Sequence, residues 1–210
     1  NISMHSIDPG GFEFITGVEA LDIVVEGINA AQEAGLNPVK VNFVALQGIN
    51  EDQIWKMIEN SAEHNYTLQI IEYEVPRELE NSEEYMKYHY PLEPLEQELN
   101  KLAKKIEHNS LHDRPLFHIP VSGNTAKIEI VRPMHNYHFC DNCTRMRLTS
   151  LGELKPCLMR SDNYTPAFGP SRKKATDADI ETAFVTATSK REPYWRKVEI
   201  NENQVLCNTS

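Results

Sequence analysis

Val39-Lys-Val-Asn-Phe-Val-Ala-Leu46 sets the reading of the whole chain: it is β-branched and almost wholly apolar, as expected of a strand covered on both faces. Ahead of it, Leu21, Val24, Val25, Ile28 and Ala31 recur at helical spacing from Val18 onward, and Gly35 supplies a stop. Behind it, Gly48 turns the chain, Asn50 and Gln53 have the spacing of a capping box, and Ile54, Met57, Ile58 and Ala62 form a second helical stripe. A second buried strand spans Thr67 to Tyr73. Asn1-Ile2-Ser3-Met4 reads as a short strand, followed by a turn at Asp8-Pro9-Gly10-Gly11. The order strand, helix, strand, helix, strand predicts an α/β fold with βαβ units and a parallel sheet, open or closed into a barrel.

Further along, Arg77 to Tyr90 is rich in Glu and Tyr without a clean period and reads as an irregular connection. Pro94 opens a helix with Leu95, Leu99, Leu102 and Ile106 inward and Glu96, Glu98, Lys101, Lys104 and Lys105 outward. Pro115 to Val121 and Thr125 to Arg132 flank Ser122-Gly123-Asn124, a hairpin signal. Thr176 with Asp179 caps a last helix carrying Ile180, Phe184 and Ala187. The chain opens inside a strand without an initiator Met, as a piece of something longer would.

The 210 residues are 40% hydrophobic and 25% charged, an ordinary globular composition that excludes disordered and collagen-like chains. Lys and Arg number 21 against 31 Asp and Glu, a formal charge of −10 that repels nucleic acid and anionic membrane. No apolar run reaches the length of a membrane span and no signal peptide opens the chain, so a cytoplasmic protein without membrane partners is expected. G-x-S-x-G and the P-loop are absent, which removes serine hydrolase and P-loop NTPase readings.

The chemistry concentrates in His138-Phe-Cys140-Asp-Asn-Cys143-Thr-Arg145-Met146-Arg147, followed by Gly152 and Cys157, with the spacing C-x2-C-x13-C. Two thiolates from one tight turn can meet one metal centre, and a hairpin at Gly152 returns the chain so that Cys157 supplies a third. Spacing alone leaves two centres open. With His138 or His135 the cysteines make a Cys3His zinc site; without them, three thiolates leave one iron of a four-iron cubane open to a small molecule. Cys207 is a distant candidate for a fourth thiolate. Arg145 and Arg147, two apart in an extended stretch, point the same way and suit phosphate, or else bridge to surface acids. Lys40 interrupts an apolar strand and needs a ligand or a partner such as Glu72 on the next strand. His5, His64, His89, His108, His112 and His118 lie in no ligand spacing and read as surface or packing residues.

The segments Asn1-Ile-Ser3-Met-His-Ser-Ile-Asp8 with Ile15-Thr16-Gly17, Gly27-Ile28 through Gly35-Leu36-Asn37-Pro38-Val39-Lys40-Val41-Asn42, Gly48-Ile49-Asn50-Glu51 and the block Cys140 to Leu158 resemble the GTP 3′,8-cyclase family. These are the radical-SAM enzymes of molybdenum cofactor biosynthesis. The resemblance implies the C-terminal part of an incomplete (β/α) radical-SAM barrel, followed by a small α+β region with the second, substrate-binding [4Fe-4S] cluster. Residues 1–76 would be the remaining half-barrel, 77–114 a connecting loop and helix, 115–195 the cluster- and GTP-binding region and 196–210 a tail. It further implies Cys140, Cys143 and Cys157 as cluster ligands, Lys40, Arg145, Met146 and Arg147 as GTP contacts, and Ser3 and Glu74 as contacts of S-adenosyl-L-methionine (SAM). In the complete enzyme a 5′-deoxyadenosyl radical would take hydrogen from C3′ of GTP, and C3′ would attack C8 of the base. Partners would be GTP and SAM, with the protein a monomer or homodimer.

The sequence departs from the family pattern at Gln69, where many members have Arg, at Glu74, near a SAM-contacting Met, and in its ending, Cys207-Asn-Thr-Ser210 in place of Gly-Gly. It contains no C-x3-C-x2-C, the motif of the SAM-cleaving cluster. The isolated polypeptide is therefore expected to be inactive as a cyclase and, with a cut sheet edge, prone to aggregate.

Overall fold

A computed structural model describes residues 1–108, 113–168 and 175–196. His112, Cys207 and the tail beyond Arg196 lie outside the described residues. The first element is a two-residue strand, β1 (Ile2–Ser3). Asp8-Pro9 then starts a helix instead of making a simple turn. The Asp8 carboxylate accepts the Gly11 amide at 2.7 Å and Pro9 occupies the first turn, where its missing N–H costs nothing, giving α1 (Pro9–Thr16). Next come α2 (Leu21–Glu33) and β2 (Lys40–Ala45).

Asn50 and Gln53 do not form the capping box their spacing suggests. The Asn50 amide accepts from Leu46 N–H and donates to the carbonyls of His5 and Val44, while Gln53 Oε1 accepts from Ser6 Oγ and Ile7 N–H. Both side chains tie the exit of β1 to the exit of β2. A 3-10 turn, Glu51–Gln53, leads into α3 (Ile54–Glu63) and then β3 (Thr67–Glu72).

The stretch after Pro76 is more ordered than its composition suggests: a 3-10 turn at Arg77–Leu79 precedes α4 (Glu83–Tyr88), whose Ser82 N-cap accepts the Tyr85 amide. Helix α5 (Glu93–Leu102) stops earlier than the apolar spacing predicts. Ala103 is extended, and Ile106 belongs to β4 (Lys105–His108), which pairs antiparallel with β5 (Pro115–Val121). Leu102 and Ile106 are consequently 46% and 38% exposed. Strands β5 and β6 (Asn124–Val131) form the expected hairpin, with Ser122 and Gly123 both at positive φ, the backbone of a tight two-residue turn.

The six strands form one mixed sheet in the order β1-β2-β3-β6-β5-β4. β1, β2, β3 and β6 run parallel, β5 pairs antiparallel with β6, and β4 pairs antiparallel with β5. Strand alternation gives the sheet two different faces. Val41, Phe43, Leu68, Ile70 and Ile128 are fully buried on one face, in the core cluster with Ile58 and Leu99 of the helices. Each such side chain contributes about 1.5 to 3 kcal/mol by leaving water. The other face carries the in-register row Ser3, Asn42, Gln69 and Glu129.

The chain divides into two units, Asn1–Met134 and His135–Ser210. The second is made of short elements: α6 (Tyr137–Asp141), β7 (Arg147–Leu148), β8 (Glu153–Lys155), β9 (Thr165–Pro166) and α7 (Asp177–Ser189). β7, β8 and β9 pair antiparallel in that order. The Thr176 and Asp179 capping box at α7 forms as expected. A small cluster of Leu154, Ala167, Ala183 and Ala187 is its apolar centre.

Candidate functional site

In the second unit, Asn136 caps α6 by accepting the Phe139 amide at 2.9 Å, which sets Cys140 on the helix. The helix ends in a tight turn in which the Cys143 amide donates to the Cys140 carbonyl. The chain then runs extended into β7, turns at Thr149 to Gly152 and returns along β8, directly after which stands Cys157. All three cysteines are half-buried and none is in a disulfide. Burial pushes the Cys140 thiol up, the main-chain amides of Trp195 and Tyr194 pull it back by hydrogen-bonding its sulfur, and the charges of Cys157 and Cys143 push it up again.

Of the histidines considered beside them, His135 packs its ring 4.1 Å from that of Trp195, and His138 Nδ1 lies 3.4 Å from Asn142 Nδ2. Among the described residues no group of three or more His, Cys, Asp and Glu side chains is arranged to hold a metal ion. The donor set is three half-buried thiols unspent in disulfides, the type of donor an iron-sulfur cluster takes, while burial on balance favours the neutral Cys140 thiol.

Arg145 is exposed and Arg147 half-buried, with Met146 between them packed against the unit's apolar cluster. An inward Met146 sends its two neighbours to the opposite side of the extended segment. Neither arginine makes an ion pair among the described residues, so the surface-bridge alternative has no partner there.

In the first unit, Lys40 is paired, but not with Glu72. Its ammonium donates to Glu129 Oε1, two strands away, while Gln69 Nε2 donates to Glu129 Oε2 at 2.6 Å and Arg114 Nη2 stands 3.3 Å from the same oxygen. Register explains the choice. Glu72 lies opposite Ala45 and so points to the other face from Lys40, whereas Glu129 lies opposite Gln69 on the Lys40 face. Glu129 is 1% exposed, and the two cations with the amide offset the cost of burying its charge. Asn42 Oδ1, next in the row, is buried without a hydrogen-bond partner. Ser3 is exposed on the edge strand, and Glu74 is half-buried just beyond β3.

A model described as molybdenum cofactor synthesis C matches residues 66–197, which take in β3, β6 and the whole cysteine block. The chain belongs to the molybdenum cofactor synthesis C family. Among curated relatives, probable GTP 3′,8-cyclase of Thermoplasma volcanium is 49% identical over 208 residues, covering 99% of this chain and 63% of the relative. The probable GTP 3′,8-cyclase of Pyrococcus horikoshii is 45% identical over 195 residues, 93% of this chain and 63% of the relative. That of Thermococcus kodakarensis is 42% identical over 196 residues, 93% of this chain and 64% of the relative. The chain therefore spans less than two thirds of the length of these relatives.

Within this member of the molybdenum cofactor synthesis C family, three features escape sequence reasoning. Glu129 sits in an alternating strand where a charged residue reads as solvated, and only its register with Gln69 reveals it as the partner of Lys40. His89 Nε2 hydrogen-bonds Glu72 Oε1 at 3.1 Å and the ring stacks on Tyr85, so of the surface and packing readings it takes the packing one. Burial pushes the Glu72 carboxyl up, with His89, Arg132 and the Met134 amide opposing, and it pushes Tyr85 up to about 12. His5 Nδ1 accepts the Val44 amide at 3.1 Å, and burial holds its pKa below the ordinary value. Among the described residues no helix is long and apolar enough to cross a membrane.

Proposed function

We propose that this chain carries the second-cluster and nucleotide-binding part of a GTP 3′,8-cyclase, which converts GTP to (8S)-3′,8-cyclo-7,8-dihydroguanosine 5′-triphosphate at the start of molybdenum cofactor biosynthesis. The observation that carries this reading is the grouping of Cys140, Cys143 and Cys157, half-buried and disulfide-free, on one short helix and the hairpin that follows it. Their thiolates would hold a [4Fe-4S] cluster, and such a cluster, when bound by three thiolates, supplies one iron that can take a small-molecule ligand.

Arg145 and Arg147 would bind the polyphosphate of GTP. Their forks match phosphate oxygens, and each charge-assisted bond contributes about 1.5 to 3 kcal/mol, enough to hold an anion against the chain's overall negative charge. Met146 would keep the two aligned by its anchorage in the apolar cluster. Lys40 would be a further GTP contact: its ammonium has three donors, and Glu129 engages only one carboxylate oxygen of its own. The two-faced sheet, with Ser3, Asn42, Gln69 and Glu129 in one row, suits the lining of a partial barrel in which Ser3 and Glu74 contact SAM. SAM and the first [4Fe-4S] cluster belong in this reading to the complete enzyme, which acts in the cytoplasm.

GTP titration of the anaerobically reconstituted chain tests the assignment. Arg147→Ala and Arg145→Ala should each weaken GTP binding by at least roughly tenfold, ~1.4 kcal/mol, while leaving the thermal midpoint of the protein unchanged. Equal GTP affinity in wild type and both variants would refute these contacts.

A further inference from the structure

Strand β4 forms one edge of the six-stranded sheet: β5 pairs with it on one side, and among the described residues no strand pairs with it on the other. All four of its residues, Lys105-Ile106-Glu107-His108, are exposed. An uncovered edge presents main-chain donors and acceptors to other strands, and proteins guard such edges with charge. Guards of one sign repel every incoming copy. Here the guards alternate in sign along one face of the strand, Lys105 and then Glu107, and Ile106 between them turns to the other face. That other face is the apolar one, since Ile106 stands opposite the buried Phe117. A groove of about 290 Å³ lies there between α5 and the strands, with Ile106, Pro115 and Phe117 among its walls, and Leu102 at the end of α5 is exposed as well.

We propose that a second copy of this chain docks on β4, antiparallel and in one register, so that the sheet continues across a twofold axis. With Ile106 opposite the partner's Ile106, the axis passes between them perpendicular to the sheet, Lys105 faces the partner's Glu107, and Glu107 faces the partner's Lys105. The neighbouring registers are closed. A shift of two residues one way sets Lys105 against the partner's Lys105, and the other way sets Glu107 against the partner's Glu107, and like charges directly opposite are destabilising. A shift of one residue turns the apolar face of one copy to the wrong side. Within one chain Lys105 pairs with Glu107, and His118 Nε2 stands 2.8 Å from the same carboxylate. Across the seam these exposed charges gain a second partner of opposite sign. The other edge of the sheet, β1, is two residues long, carries no charge and has no such pattern. A seam of four residues a side makes a weak association, at the small end of specific interfaces. The proposal stands apart from the cyclase reading.

Sedimentation velocity of the full 210-residue chain over a concentration series tests this, with far-UV circular dichroism as the check on folding. Wild type should pass from monomer to dimer as concentration rises. Lys105→Glu sets glutamates against each other across the seam, Glu107→Lys sets lysines against each other, and each should raise the dissociation constant by at least roughly tenfold. The double variant Lys105→Glu with Glu107→Lys restores opposite charges and should recover the wild-type constant. In an equimolar mixture, the two single variants should pair with each other more tightly than either does with itself. Ile106→Cys adds a positional readout. Opposite Cα atoms in an antiparallel pair stand about 4.5 to 5.5 Å apart, within disulfide reach, so mild oxidation should link position 106 of one chain to position 106 of another, identified by mass spectrometry of the joined peptide. A wild type that stays monomeric up to its solubility limit overturns the proposal. So does association of any order that the charge reversals leave unchanged, or a dimer whose Ile106→Cys variant yields no such link.

Discussion

In the first unit Lys40 finds Glu129 across an intervening strand, and Gln69 and Arg114 complete the group, so the Glu129 charge is answered from neighbouring strands and the residue leading into β5. In the second unit the chemically singular residues are thiols that do not bond to one another, on or between elements two to five residues long, and the buried apolar cluster is one leucine and three alanines. Long in-register strands can bury a carboxylate and supply its counter-charges from neighbours. The second unit's short hairpins carry instead clamps nearer the surface, such as Arg160 with Asp162 and Glu192.

Substitutions in each unit put this contrast to the test. The largest effect is expected from Glu129→Ala, which removes the counter-charge of Lys40 and Arg114 in a buried place: about 3 to 5 kcal/mol lost in urea unfolding of the first unit, with Glu129→Gln losing less because its amide oxygen still accepts on one side. Leu154→Ala removes the one large side chain of the second unit's cluster. About 2 kcal/mol is expected, read as faster proteolysis confined to residues 135–196. Next in size, loading with iron and sulfide should slow cleavage of the second unit by roughly tenfold, ~1.4 kcal/mol, and leave the first unit's fragments unchanged. Cys140→Ser should abolish that protection without altering the apo protein's first-unit stability.

The smallest effect concerns pH. Burial lowers the His5 pKa, so folding favours its neutral form, and the stability it gives is present above the ordinary value of 6.5 and lost as pH falls below it. Glu72 acts in the opposite sense: its raised pKa gives stability that is present below the ordinary 4.5 and lost as pH rises through its folded value. Urea midpoints of wild type and His5→Asn, which keeps an acceptor for the Val44 amide, should therefore diverge on acidification from pH 7 to pH 5.5, with the wild type falling more. Parallel curves would show that His5 is not the titrating group.

Much of this contrast can be read in the residues. The β-branched runs at Val39 and Thr67, the Ser122-Gly123 turn and the Thr176 box are local signals, and each produced its element. The signals that misled were equally local. Ile106 continues the helical spacing of Leu95, Leu99 and Leu102, but pairing with β5 pulled it into an edge strand. Asn50 and Gln53 have cap spacing, but the exit of β1 offered them better partners. At the site, the C-x2-C-x13-C spacing is visible because its donors are side chains close in sequence. The Lys40 partner is not, because it depends on register between strands far apart in the chain.

The central claim is that the second unit is built to be completed by iron and sulfide. Metal and acid-labile sulfide analysis of the chain after anaerobic reconstitution, read together with EPR of the dithionite-reduced sample, tests it directly. About four irons and four sulfides per chain, a low-spin [4Fe-4S]⁺ signal that changes on adding GTP, and loss of all three in Cys157→Ser are the expected results. One zinc per chain with no sulfide, or a cluster signal indifferent to Cys140, Cys143 and Cys157, would contradict it.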